Sequence, residues 1–391
     1  MARLKIRLAR NLRKSILRGH PWVYREALAE APALERAQLC QVSDAKGELA
    51  WALYDPRGPL ALRILSLGRA PPAAAEFEAR FQRALSLRRS MRTGSTDCFR
   101  LFNGEGDGLP GLICDVYAAV AVLQFDGLGP SEFWDREVIA RWLLERAGVE
   151  TVVEKLRRNK GAPAAERSVR LLAGVACPDV VTVRENGAAF RVNLELGQKT
   201  GFFLDQRANR HYVGGVARAQ NILNLFSYSG GFSVAAGLGG ASRVTSVDVS
   251  AGAVALADEN WQLNGLAPGA HVGVCADVFE FLKDGRDLWD HVIVDPPSMG
   301  HSEDGKAAAV AKYVALFAAA AAKTRPDGEL SLSSCSSHVS FDDFLASIDE
   351  ALSASRRRAQ VLRISGQGPD HPFPHACPEL RYLKFAHLAM S

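Results

Sequence analysis

The chain has 391 residues, of which 48% are apolar, and carries a formal net charge of +4. The length exceeds one ordinary domain and the apolar fraction excludes disorder, so two or three packed units are expected. The basic excess is too small for a surface that binds nucleic acid throughout, so any such surface must be local.

Residues 1–72 read as a small β-barrel. Positions 5–8 alternate like an edge strand, and 12–17 form a helical turn closed by Gly19 and Pro21. Short strands at 40–42, 48–54 and 60–65 are separated by D-A-K-G and D-P-R-G-P turns. The first 25 residues hold eight Lys or Arg and no acid. Arg10, Arg13, Lys14 and Arg18 lie close to Trp22 and Tyr24. That mixture suits RNA, because aromatics stack on bases while cations hold phosphates. A solvated basic face and a core tryptophan are the plainer alternatives.

A Pro/Ala segment at 69–75 marks a boundary, and a charged helix at 76–92 follows as a connector, with Phe77, Phe81 and Leu85 at helical spacing. The central unit is expected to be α+β and to run over 73–190. Its strands are placed at 99–102, 112–117, 119–125, 151–154, 180–185 and 189–194. One amphipathic helix is placed at 131–147 with Ser131 as N-cap. The Gly-rich stretch 103–111 lacks Lys-Ser/Thr and opens no helix, so it reads as a wide turn and not as a phosphate loop. In 197–210, Lys199, Gln206, Arg207 and Arg210 are dense polar groups suited to a cofactor cleft or to substrate phosphates. Asp205 is a candidate cap for the helix that follows.

The third unit, 191–391, has the pattern of an open parallel α/β sheet. A strand at 222–225 runs into Phe226-Ser227-Tyr228-Ser229-Gly230-Gly231 and a helix at 232–238. Small residues such as Gly230 and Gly231 let backbone approach a ligand, and helix N–H groups favour anionic oxygens. Asp248 ends the next strand, where a carboxylate grips ribose hydroxyls. NAD and S-adenosylmethionine (SAM) both fit to this point. Asp277 after the third strand, with Val278 and Phe279 as apolar contacts, favours SAM. The strand at 291–294 runs straight into Asp295-Pro296-Pro297-Ser298, a rigid loop of the kind held over a reacting base or amide. A fifth strand at 330–333 stops at Ser334-Cys335-Ser336. Cys335 is thereby a candidate nucleophile on the same cleft as Asp295.

The seven cysteines stand outside metal-ligand spacing and are odd in number. A disulfide framework is not expected, no metal is assigned, and a reducing cytoplasm is the expected compartment. The N-terminus lacks a signal-peptide apolar run, and the apolar stretch at 315–322 is too short to span a bilayer, so no membrane partner is expected.

Taken together, R-G-H-P-W-V-Y at 18–24, D-G-L-P-G-L at 107–112, K-T-G-F-F-L-D-Q-R at 199–207, N-L-F-S-Y-S-G-G-F at 224–232, D-P-P at 295–297, S-C-S at 334–336 and D-H-P-F at 370–373 resemble one family. It is the bacterial ribosomal RNA large subunit methyltransferase I family of SAM-dependent RNA cytosine-C5 methyltransferases. The resemblance covers nearly the whole chain. It implies an N-terminal PUA domain, a central domain and a class I methyltransferase domain. It implies SAM as cofactor and large-subunit ribosomal RNA as partner, and it leaves room for a homodimer. Cys335 matches the nucleophile that adds to C6 of the cytosine, and Asp295 with Pro296 matches the loop holding the base. Gln206 matches a contact to the amino-acid portion of SAM. Ser298 stands where wider RNA cytosine-C5 enzymes carry a second cysteine. Three readings stay beside this one: N-methylation of a guanine or adenine, a noncatalytic RNA-binding assembly factor, and, more distantly, an NAD oxidoreductase.

Overall fold

The computed structural model describes residues 4–156, 168–283, 285, 287–300 and 305–391. The chain divides into two compact units. Unit 1 is Met1–Val183, Val192–Leu204 and Pro369–Leu380, and unit 2 is Arg184–Arg191, Asp205–Gly368 and Arg381–Ser391.

Unit 1 holds two five-stranded sheets. In the first, Lys5–Arg7 forms one edge, followed in space by Gln38–Asp44, Gly47–Tyr54, Leu60–Leu67 and Trp22–Tyr24. The D-A-K-G turn pairs Asp44 with Gly47, and Gly47 takes φ 103°, a left-handed conformation that a β-carbon resists. Alternating residues Ile6, Val23, Val42, Ala52 and Leu62 bury one core. The second sheet runs Val169–Gly174, Thr151–Lys155, Val120–Phe125, Leu112–Tyr117 and Cys98–Asn103. Phe81, Phe102, Trp134 and Trp142 pack over it as an aromatic cluster.

Two expectations for this unit change. The helix expected at 131–147 is two helices, Leu128–Phe133 and Arg136–Arg146. Trp134 takes an extended backbone to reach the core, and Asp135, not Ser131, caps the second helix by accepting from Glu137 and Val138 N–H. The strand Val169–Gly174 went unseen because its side chains alternate only weakly and stay largely exposed.

The Gly-rich stretch near 104–111 is a socket for the segment 369–372. The Arg88 guanidinium is buried in a bidentate pair with Asp107 (2.6 and 2.8 Å) and also donates to the carbonyls of Arg100 and Asp370. Asn103 donates to the Pro372 carbonyl. A β-carbon on Gly106 would sit 1.8 Å from that same carbonyl oxygen, so only glycine fits. Removing one partner of a buried pair strands the other charge. Asp107→Ala is expected to destabilise unit 1 by about 3–5 kcal/mol, read from urea unfolding. Asp107→Ala combined with Arg88→Met should recover part of the loss, whereas an unchanged midpoint for Asp107→Ala alone would show that the pair holds nothing.

Unit 2 is a seven-stranded sheet in the spatial order His271–Cys275, Arg243–Asp248, Asn221–Leu225, Trp289–Val294, Thr324–Ser334, Lys384–Met390 and Ala359–Ser365. The first five strands and the edge strand Ala359–Ser365 run in one direction, and Lys384–Met390 lies antiparallel between Thr324–Ser334 and Ala359–Ser365. The chain steps outward from Asn221–Leu225 in one direction and then resumes on its other side at Trp289–Val294. The strand order thus reverses between these two, and ligands of open α/β sheets bind at the C-terminal ends of strands at such a point. The parallel strands read as continuous apolar runs because helices cover both faces. A polar seam interrupts the apolar interior, with His291, Ser331 and His387 on three neighbouring strands. Burial pushes His291 down to about 3 and, with the charge of Arg363, His387 down to about 4, so both imidazoles are neutral.

Candidate active site

Two loops leave neighbouring parallel strands and meet. The first is Asp295-Pro296-Pro297-Ser298, after Trp289–Val294. The second is Cys335-Ser336, after Thr324–Ser334. The half-buried Cys335 thiol donates to the Pro296 carbonyl at 3.7 Å. Ser336 Oγ lies 3.1 Å from both Ser298 Oγ and Met299 N, 3.4 Å from Gly300 N and 2.9 Å from the Tyr313 hydroxyl. One buried hydroxyl therefore fixes the two loops against each other. Lys384, only 1% exposed, donates to the carbonyls of Ser336 and Val339 at 2.6 Å each. Burial pushes its ammonium down to about 8, opposed by the negative charge Cys335 can carry.

Asp295 is positioned from the other side. Gln206 donates its amide N–H to Asp295 Oδ1 at 2.8 Å and to Ser333 Oγ at 3.3 Å. Its Oε1 accepts from Asn209 at 2.6 Å, and Asn209 Oδ1 accepts from Ser365 Oγ at 2.7 Å. Gln206 is thus buried with its amide spent on holding the carboxylate. Asp205 does not cap the helix Arg207–Val216; its carboxylate accepts from the Tyr382 hydroxyl, and Gln206 is the N-cap.

The loop after Asn221–Leu225 is held in a conformation few side chains tolerate. Phe226 takes φ 57° and Tyr228 φ 46°, both left-handed, and Gly230 takes φ 77°. Ser227 N–H donates to the Val247 carbonyl and Tyr228 N–H to Asp248 Oδ2, which fix the strained backbone. Asp248 Oδ1 accepts from Ser250 N–H; a carboxylate has lone pairs left for a further donor. Ser227 Oγ and Ser229 Oγ are buried without a hydrogen-bond partner among the described residues. Buried orphan hydroxyls beside a glycine turn suit a polar ligand that supplies the missing bonds. Asp277 caps the helix Val278–Lys283 by accepting from Phe279 and Glu280 N–H. Val278 is 2% exposed in the core and Phe279 packs against it, so Val278 supports the cleft from below.

The cations divide. Lys14, Arg18 and Lys199 are exposed, Lys199 over the ring of Phe203. Exposed Arg10 pairs with Glu26 at 3.8 Å. Arg13 forms a bidentate pair with Asp44, which holds that carboxyl down to about 2. Half-buried Trp22 donates its indole N–H to Glu105. The expectation that Arg207 and Arg210 face phosphates is corrected. Both are buried, and Arg210 is 3% exposed with its guanidinium bidentate on Glu185 at 2.7 Å. Ser336, Tyr313, Asn209 and Lys384 carry the site yet were assigned no role from sequence. Only Ser336 gave a signal, as the last letter of S-C-S.

Residues 162–350 match the family described as S-adenosylmethionine-dependent methyltransferase, and residues 6–67 match the PUA-like domain family. A ribosomal RNA large subunit methyltransferase of Deinococcus radiodurans is 38% identical over 99% of this chain and 98% of its own length. The ribosomal RNA large subunit methyltransferase I of Photobacterium profundum is 33% identical over 97% of each chain. The chain belongs to the ribosomal RNA large subunit methyltransferase I family. A solved structure from Streptococcus mutans, described as that of a SAM-dependent methyltransferase, shares the fold with a TM-score of 0.85 at 24% identity, covering 99% of this chain and 100% of that one. Another solved methyltransferase, complexed with SAH, matches with the same TM-score over 100% of each chain. The fold expected from sequence, a PUA-like domain with a SAM-dependent methyltransferase domain, is therefore that of the protein, and SAM is its cofactor. Among the described residues no helix is long and apolar enough to cross a membrane.

Two substitutions separate cofactor binding from chemistry. A β-carbon on Gly230 would meet Ala257 Cβ at 2.8 Å in a left-handed backbone. Gly230→Ala is expected to weaken SAM binding about tenfold, since such strain costs roughly 1–3 kcal/mol, as read by calorimetry. Ser336→Ala should leave SAM affinity within a few-fold while methyl transfer falls about 100-fold, the scale set by misplacing a reacting group by an ångström. Equal losses in both measurements would place Ser336 in cofactor binding instead.

Proposed function

We propose that this protein methylates C5 of a cytosine in large-subunit ribosomal RNA through a covalent adduct at Cys335. The observation that carries the reading is the thiol of Cys335 against the Pro296 carbonyl, on the loop that begins with Asp295. The names of the relatives supply the RNA class. Bound SAM supplies an electrophilic methyl group, and Ser227, Tyr228, Gly230, Gly231, Asp248 and Asp277 border the turn that would hold it.

Aromatic C5 is a poor nucleophile, and the residues answer that difficulty. The Cys335 thiolate forms a bond from sulfur to C6, and the electron pair of the C5–C6 double bond makes C5 nucleophilic. Asp295, held by Gln206, would accept from the N4 side of the base and orient it. After methylation the C5 proton passes to an Asp295 oxygen or to water, the electron pair of the C5–H bond re-forms the C5–C6 double bond, and the C6–S bond breaks to return the thiolate. The Lys384 ammonium, anchored under the Cys335-Ser336 turn, favours the thiolate form electrostatically. The target base must leave its stack to reach such a pocket. Exposed Lys14, Arg18 and Lys199 are proposed to hold RNA phosphates.

Cys335→Ala is expected to reduce 5-methylcytidine formation on ribosomal RNA by at least about 1,000-fold while SAM still binds, measured by nucleoside mass spectrometry. RNA carrying 5-fluorocytosine should trap a denaturation-stable complex with the native protein and none with Cys335→Ala, because fluorine cannot leave as the proton does. A purine N-methyl product that survives Cys335→Ala would replace this reading with N-methylation.

A further inference from the structure

We infer that His291, Glu329 and His387 form a binding site for one divalent transition-metal ion, with zinc the best fit, at the end of the unit 2 sheet remote from the methyl-transfer loops. The three side chains come from the neighbouring strands Trp289–Val294, Thr324–Ser334 and Lys384–Met390. His291 stands opposite Glu329 in register, and Ser331 opposite His387. His291 lies four residues before Asp295, about 13 Å along a strand, so the two sites are distinct.

His291 Nδ1 is 3.5 Å and His387 Nε2 3.7 Å from Glu329 Oε2, and the three atoms lie within 4.8 Å of one another. These separations are too long for hydrogen bonds. They are close to the edge of a tetrahedron around an ion with bonds of about 2.1 Å, roughly 3.4 Å. Both nitrogens are buried and lack a hydrogen-bond partner among the described residues, on side chains that are 0% exposed. The opposite nitrogens meet one hydroxyl. Ser331 Oγ is 2.8 Å from His291 Nε2 and 2.9 Å from His387 Nδ1. When both rings donate to it, the lone pairs of Nδ1 and Nε2 turn toward Glu329, the tautomers that ligation requires. Gln220 donates to the same carboxylate at 3.1 Å and steadies it. Two imidazoles and one carboxylate are a zinc donor set. Arg363, in register with His387, adds a positive charge that tempers affinity. The ion would tie together the strands that carry Asp295, Cys335 and Lys384, and it takes no part in methyl transfer.

The test titrates the full-length, chelator-stripped protein with Zn(II) and with Co(II). The expected result is one equivalent bound, a cobalt absorption band and a rise in Tm of several degrees. Glu329→Gln and His387→Gln should each lose all three while still binding SAM, which reports that unit 2 is folded. Cys377→Ser should keep them, since His20, Cys377 and Glu379 form a second cluster that could take zinc. A wild-type protein whose Tm and absorption ignore both ions makes the seam a hydrogen-bonded cluster only and overturns the proposal. So does an equivalent that survives Glu329→Gln or vanishes in Cys377→Ser.

Discussion

Two loops separated in sequence by the helix Lys306–Lys323 and the strand Thr324–Ser334 become one site at the hydroxyl of Ser336. The parallel sheet places the ends of Trp289–Val294 and Thr324–Ser334 side by side, but adjacency of strands leaves loops free to point anywhere. Ser336 removes that freedom, because its oxygen meets Ser298, Met299, Gly300 and Tyr313 together. Each bond alone is worth about 1 kcal/mol. Their joint effect is to fix geometry, and catalysis is far more sensitive to that than stability is.

The electrostatics follow from the same packing. A buried lysine is costly unless its protons are shared, and Lys384 shares two of them with carbonyls of the turn that carries Cys335. On the opposite side the chain Ser365, Asn209, Gln206 and Asp295 is neutral until its last member. Neutral donors hold the carboxylate in place without cancelling its charge, as an arginine would. Arg210, next to Asn209 in sequence, is committed to Glu185 instead.

The sheet was legible because its strands are short apolar runs ending in Gly, Ser or carboxylate, and the Asp295 and Cys335 loops were legible for the same reason. Lys384 was not, since nothing in K-F-A-H-L-A-M distinguishes a lysine buried at a strand start from one in solvent. Arg207 and Arg210 misled in the opposite sense. Their density looked like a phosphate site, yet Arg210 sits under Gly231, where a β-carbon would meet its Cδ at 2.9 Å. The long helix expected at 131–147 failed at Trp134, where the demand of the aromatic core outweighed helical propensity. Of the conspicuous glycines at 104–111, Gly106 serves close backbone approach to Pro372 and Gly111 to the ring of Pro130.

Ser298 bears most directly on how a cytosine adduct would resolve. Wider RNA cytosine-C5 enzymes place a thiol there, and a thiol can ionise near neutrality. A serine hydroxyl cannot, and here its hydrogen is spent on the Gly300 carbonyl at 2.9 Å while its oxygen faces Ser336. The residue is built as a clamp, so the C5 proton has to depart by another route. Asp295 stands on the same loop and its carboxylate oxygens, like water, can accept a proton. Resolution through a carboxylate ties turnover to the orientation that Gln206 imposes. On this chemistry the amide chain behind Asp295 governs the release of the product as well as the seating of the base.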